Sequence, residues 1–272
     1  MKTVCSHACA ALLVALFAGC YEVPVTGRRA MNLVDDKQVA KMSIAAFEDL
    51  KSSNPLSRDR DKIEQLNRVG ERLSKVVFWE MPDADWEFVV FDVPQQINAF
   101  AMAGGKIGVF SGLYKIVSND DQLASVLAHE IAHVTAKHVH EKLSREMALG
   151  TVGTVGTLGA SVVGGIPLLG AMVLDVYGIN PNATSPAFDR EKEKEADYIG
   201  LIYMARAGYD PQEAPKVLEK LEEVSAGQPA PAALLSTHPS NPERIMRLMD
   251  EMPRAQKAYQ ESHVKAVPTL VK

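Results

Sequence analysis

The stretch DDQLASVLAHEIAHVTAKHVH, residues 120–140, limits this chain more than any other. Between Leu123 and Val134 it carries Leu123, Ala124, Val126, Leu127, Ala128, Ile131, Ala132 and Val134, so a helix here is apolar almost all round. Such a helix belongs in the centre of a domain. Yet it also carries His129, Glu130 and His133, and polar groups taken out of water must be satisfied. Its start is marked: Ser118 with Asp121 three residues later fits a capping box, and Asn119 and Asp120 are alternative caps.

A helix turns every 3.6 residues, so His129 and His133 point the same way, one turn apart. Two imidazoles so placed can bind one Zn²⁺ at about 2.0–2.1 Å. Glu130 stands beside the first of them, placed to take a proton from water and pass it to a leaving amine. A third ligand is needed. The long HExxHxxGxxH pattern fails, because Ala136 and Val139 stand where it requires glycine and histidine. His138, five residues past His133, faces largely away on a continued helix, and His140 shares the face but lies about 10 Å farther along. Both read as surface residues or as partners of a ligand, with His138 at the rim.

The three cysteines, Cys5, Cys9 and Cys20, all lie in or at the end of the N-terminal apolar stretch. A mature chain without thiols must hold its metal by His, Asp or Glu. The segment REKEKEADYIG offers Glu191, Glu193, Glu195 and Asp197, and Glu193 and Asp197 share a helix face. One could bind metal while the other accepts the outer N–H of a ligand histidine. Periodicity does not choose among the four.

The opening MKTVCSHACAALLVALFAGC reads as an export signal over residues 1–19, too short for a confident membrane span. Its end, LFAGC, resembles the lipobox of bacterial lipoproteins, with Cys20 as the lipidated first residue of the mature chain. An ordinary cleaved signal and an uncleaved anchor are the alternatives. Residues 20–34 read as an extended lead-in and 35–255 as one domain, with a weakly patterned tail over 256–272. Helical periodicity over about 35–75 breaks at Asn54-Pro55, and WEFVVFDV (86–93) and KIGVF (106–110) have strand composition. Residues 147–174 hold seven glycines and no formal charge, and read as an apolar lid or hairpin, a membrane-contacting element or a span. The net charge of −5 without a long basic patch gives no reason to expect nucleic acid as a partner.

HEIAHVTAKH, then a glycine-rich apolar interval, then FDREKEKEAD and STHP, resembles the Ste24/HtpX-like zinc metallopeptidases, peptidase family M48. The periplasmic lipoprotein-type members are the most similar, and the likeness runs from PVTGRRAMNLV to about residue 250. It implies an α+β fold, a helix-rich zincin with a small sheet beside the active-site helix. It implies one Zn²⁺ held by His129, His133 and Glu193, the last being the glutamate of ExxAD, with Asp197 hydrogen-bonded to a ligand. Glu130 would be general base and acid. His238 of STHP would stand near the metal, donating to an oxyanion or filling the open position at rest. NAFAMAGGKIGVFSGLY would line the substrate, through Asn98, Ala99, Phe100, Ala101, Gly104 and Gly105, although Asn98 and the Gly-Gly pair would also shape a hairpin. The implied activity is hydrolysis of misfolded or unassembled envelope proteins in the periplasm, with outer-membrane assembly machinery as a partner. Tyr21 rather than Asp after Cys20 points to an outer-membrane anchor. Two other readings are a chaperone or assembly factor with a largely plugged metal site, and a structural metal protein.

Overall fold

The computed structural model describes residues 20–148, 188–226, 233–238 and 242–264, and isolated positions between 148 and 188. The expected export signal, the tail beyond 264 and nearly all of the glycine-rich segment 147–174 lie outside the described residues. Within that segment the end of the helix at Ala148, the pairing of Val162–Val163 with Ile166–Pro167, and Leu174 are described.

Three strands form the main sheet: β3 (Glu87–Phe91), β4 (Ala99–Met102) and β5 (Lys106–Phe110). Their order is β3-β5-β4, with β3 parallel and β4 antiparallel to the central β5. Gly104 and Gly105 make the β4–β5 turn at φ 87° and 82°, a region open to glycine at little cost. Helix α1 (Asp36–Ser53) covers one face of the sheet. Its Phe47 meets Phe91 and Phe100 at centroid distances of 6.3 and 6.1 Å, and Phe110 packs 5.3 Å from Phe91. Helix α2 (Arg60–Val76) buries Leu66, Val69 and Leu73, one stripe of its amphipathic pattern.

The central helix is α3 (Asp120–Thr135). Asn119 is its N-cap, its Oδ1 accepting from the Gln122 N–H at 2.8 Å. Ser118 is not the cap; its N–H donates instead to Gln122 Oε1 at 2.8 Å. Around α3 lie α2, β4, α5 (Arg190–Arg206) and α6 (Glu213–Ser225), so its all-round apolarity is used on every side. Asp189 starts α5 by accepting from the N–H groups of Glu191 and Lys192. Gly208, at φ 76°, ends that helix as its place in the pattern requires.

Two elements depart from expectation. Residues 20–34 are a hairpin, β1 (Cys20–Glu22) antiparallel to β2 (Arg29–Met31), and Val23, Ala30 and Val34 enter the core. Its side chains lack a periodic pattern because only three of them face inward. At the other end, after α7 (Ala233–Thr237), α8 runs from Pro242 to Val264, past the point near 255 where periodicity weakens. Met252 and Ala255 are buried there, so packing sustains the helix where local pattern does not. Among the described residues, no helix is long and apolar enough to cross a membrane.

Candidate metal centre

Helix α3 presents His129 and His133 with their Nε2 atoms 3.1 Å apart. Glu193 on α5 comes from the opposite side, Oε2 lying 3.4 Å from His129 Nε2 and Oε1 3.4 Å from His133 Nε2. The close crossing of the two helices makes this possible. Gly200 lies against the backbone of His129, where a side chain would collide. His238, just after α7, sets Nδ1 2.9 Å from Glu193 Oε1 and 3.4 Å from His129 Nε2. One donor atom from each of these four residues lies within 4.8 Å of all the others.

A metal fits this set on two counts. Tetrahedral zinc with bonds of about 2.0–2.1 Å spaces its nitrogen and oxygen ligands about 3.3 Å apart. The 3.1 Å between the two Nε2 atoms and the 3.4 Å from each to a Glu193 oxygen lie near that spacing, the two histidines meeting different oxygens of the carboxylate. In addition, Glu193 Oε2 and Glu130 Oε1 are buried without a hydrogen bond, although Arg244 Nη1 stands 3.1 Å from Glu193 Oε2. These oxygens keep lone pairs that no protein donor uses and that a metal ion or its bound water would occupy. Burial alone would lower the pKa of His129, but Asp197 and Glu193 outweigh it and push it up to about 10. The pocket therefore favours positive charge at this ring, and a proton and a metal ion compete for the same lone pair.

The other groups respond to burial in different ways. It pulls His133 well below the ordinary histidine range, which keeps the ring neutral, the form that binds metal. Phe188 stacks on His133 at 4.0 Å between centroids and shields it. Burial raises Glu130, whose Oε1 is 3.7 Å from His238 Nε2. A carboxyl moved toward neutrality suits proton transfer. Burial works against the charge of Glu193 too, but His238, His129 and His133 hold it well below the usual carboxylate range. Asp197 Oδ1 accepts from His129 Nδ1 at 3.0 Å, and both its oxygens meet Arg244 at 2.7 Å.

Beside His129 and Glu130 a cavity of about 50 Å³ opens between α3, α5, α6 and α8, walled by Val126, Leu201, Met204, Leu221 and Leu248. Of the three clustered histidine rings, His129 is the most open, with 13% of its side chain exposed. Strand β4 is the edge of its sheet and packs along α3. Ala99, Phe100, Ala101 and Met102 are buried as whole residues, backbone included, so the outer edge of β4 is covered. Asn98 is also buried; its carbonyl accepts from Phe110 N–H and its Oδ1 from Ala99 N–H, both at 3.0 Å. Gly104 and Gly105 form the turn at the far end of the strand. Cys20 opens β1, opposite Met31.

Two expectations need correcting in part. His138 does not face away at the surface; of its two readings, the structure bears out partner of a ligand. Helix α3 stops at Thr135, Lys137 takes φ 55°, and α4 (His138–Ala148) restarts the chain, so His138 Nδ1 returns to within 2.8 Å of His133 Nδ1. His140 is likewise buried, with Asp36 as its nearest acidic neighbour at 3.4 Å. Sequence reasoning did not find Arg244, Phe188 or the bond from Glu195 to His138. For Arg244 one signal exists: two buried carboxylates on α5 call for a cation, but nothing in the spacing says which arginine supplies it.

The fold and the cluster define a helix-rich α+β domain of the zincin type. The model of peptidase family M48 matches residues 27–252, and the chain belongs to that family. It is 37% identical over 182 residues to mitochondrial metalloendopeptidase OMA1 of Saccharomyces cerevisiae, covering 65% of this chain and 50% of the relative. The Schizosaccharomyces pombe protein of the same name is 33% identical, covering 86% and 67% respectively. The beta-barrel assembly-enhancing protease of Escherichia coli K12 is 32% identical, covering 82% of this chain and 45% of the relative. The chain thus spans between about half and two thirds of these relatives' lengths.

Proposed function

We propose that this chain is a zinc-dependent endopeptidase whose ion is held by His129, His133 and Glu193. The observation that carries this is the set of four donor atoms, one from each residue, within 4.8 Å of one another, with buried Glu130 at its side. When bound, zinc is a Lewis acid that makes water nucleophilic at neutral pH. Glu130 takes the proton from the attacking water and delivers it to the leaving amine, and its raised pKa suits both transfers. Asp197 fixes the ring of His129, and Arg244 fixes Asp197. Once its buried outer edge is uncovered, β4 pairs with a substrate strand past Asn98, Ala99, Phe100 and Ala101, with Gly104 and Gly105 turning the chain at the end. Backbone pairing selects extended, unfolded polypeptide over any one sequence. The apolar cavity beside Glu130 accepts an apolar side chain.

The relative named for beta-barrel assembly and the leader ending at Cys20 support a place in the periplasm. There, lipidated Cys20 would anchor the enzyme to the outer membrane, where it clears misfolded or unassembled envelope proteins and works beside the assembly machinery. Residues 35–255, with the 20–34 hairpin packed on them, act as one catalytic domain. The position of His238 favours a second reading of the resting chain. With its Nδ1 among the donors the set is closed, as in a plugged assembly factor, and His238 must swing out before water can enter.

The test is cleavage of an unfolded protein by wild type and Glu130→Gln, with zinc measured in both. Loss of cleavage by about 10²–10⁴-fold with zinc retained is expected. Equal cleavage would refute the role of Glu130, and loss of the ion along with activity would make that residue a structural one. Cleavage by neither protein would favour the plugged reading.

A further inference from the structure

The two ligand histidines are held in different ways. His129 Nδ1 meets the carboxylate of Asp197 directly at 3.0 Å. His133 Nδ1 meets another ring instead, His138 Nδ1 at 2.8 Å, and His138 Nε2 meets Glu195 Oε2 at 2.9 Å. Glu195 is gripped in turn by Arg28 Nε, at 2.9 and 2.8 Å from its two oxygens, and by Thr26 Oγ1 at 2.8 Å. Thr26 lies in a β1–β2 turn in which Val25 takes φ 68°. For a β-branched residue that conformation is strained, and strain persists only where the surroundings hold it.

The hydrogens follow from these contacts. A carboxylate only accepts, so His138 Nε2 carries a hydrogen. In a neutral ring His138 Nδ1 is then an acceptor, so the hydrogen across the 2.8 Å contact belongs to His133 Nδ1. That leaves His133 Nε2 bare, with its lone pair facing His129 and Glu193. We infer that His138 is the positioning residue of His133, fixing its tautomer and ring plane for the metal through a relay anchored by Glu195 to the N-terminal hairpin. The inference rests on the metal-centre reading above. It gives the acidic run of α5 two separate uses, since Asp197 holds one ligand ring and Glu195 the other.

His138 is fully enclosed, so substitution must separate packing from hydrogen-bond acceptance. His138→Phe keeps a planar ring and removes the acceptor. His138→Gln keeps an oxygen that can take the same hydrogen. Zinc affinity is measured by chelator competition, Co²⁺ loading by its visible absorption, and thermal unfolding without metal by circular dichroism. His138→Phe should weaken zinc about 10–100-fold and alter the Co²⁺ spectrum, and His138→Gln should recover most of both. Glu195→Gln should shift affinity the same way, and it carries the test if His138→Phe does not fold. Wild-type affinity in the folded variants would overturn the inference. So would equal losses in His138→Phe and His138→Gln that merely follow thermal stability. A wild type that takes up no zinc would overturn the metal centre as well, and so is told apart from failure of the relay alone.

Discussion

Gly200→Ala tests how closely α3 and α5 must approach to assemble the site. A Cβ at residue 200 would lie 2.8 Å from His129 N, 2.9 Å from its Cα and 3.0 Å from Ala128 C. Ordinary contact begins near 3.4 Å, so the helices must part by about 0.6 Å. Alanine is the better helix former by about 0.8–1.0 kcal/mol, which pulls the other way. Overpacking costs about 1–3 kcal/mol, and here the upper part of that range applies, because the obstacle is backbone and no rotamer can yield. The net loss should be about 1–2 kcal/mol, or about 2–8 °C in Tm for a domain of this size. Parting the helices also draws Glu193 away from His129 and His133, both now at 3.4 Å, so zinc should bind more weakly. Thermal unfolding with and without zinc, together with chelator competition, measures both effects. A variant as stable as wild type or more so, with unchanged zinc affinity, would refute the claim that this crossing sets the donor spacing.

Arg244→Ala leaves Asp197 and Glu193 buried without their cation and should cost about 3–5 kcal/mol in urea unfolding. Arg68→Ala, which breaks the exposed pair with Asp120, should cost under about 1 kcal/mol. Equal effects would contradict the burial argument. Burial lowers His140 to about 4, with Asp36 opposing and Lys137 adding to the shift. Its folded pKa lies below the unfolded value of about 6.5, so the unfolded chain binds the proton first as pH falls. The stability from keeping this ring neutral is complete above about pH 6.5 and lost toward pH 4, with a ceiling of about 3 kcal/mol. Urea midpoints at pH 7.5 and 4.5 should therefore differ less in His140→Asn than in wild type, and an unchanged difference would remove His140 from the acid response.

The parts of the site that one helix can specify were legible in the chain. His129, Glu130 and His133 follow from a four-residue spacing, and a central position follows from apolarity on every face. Strand composition located β3 and β5. Glu193 stood among four acidic residues that periodicity could not rank, and a family likeness, not local physics, chose it.

The remainder depends on contacts between segments far apart in the chain. That His138 is a ligand's partner and not a surface residue could not be chosen from the sequence, because a helical pattern carries no mark of the left-handed Lys137 that ends α3 and turns the next residues back. Arg244, Phe188 and Glu195 meet partners 47 to 57 residues away in the chain, and these contacts exist only once α5, α8 and the hairpin have packed. The donor residues are thus written locally, one helix at a time. Their orientation, protonation and 3 Å spacing are decided by tertiary packing, because a lone pair is aimed by whatever holds the far side of its ring.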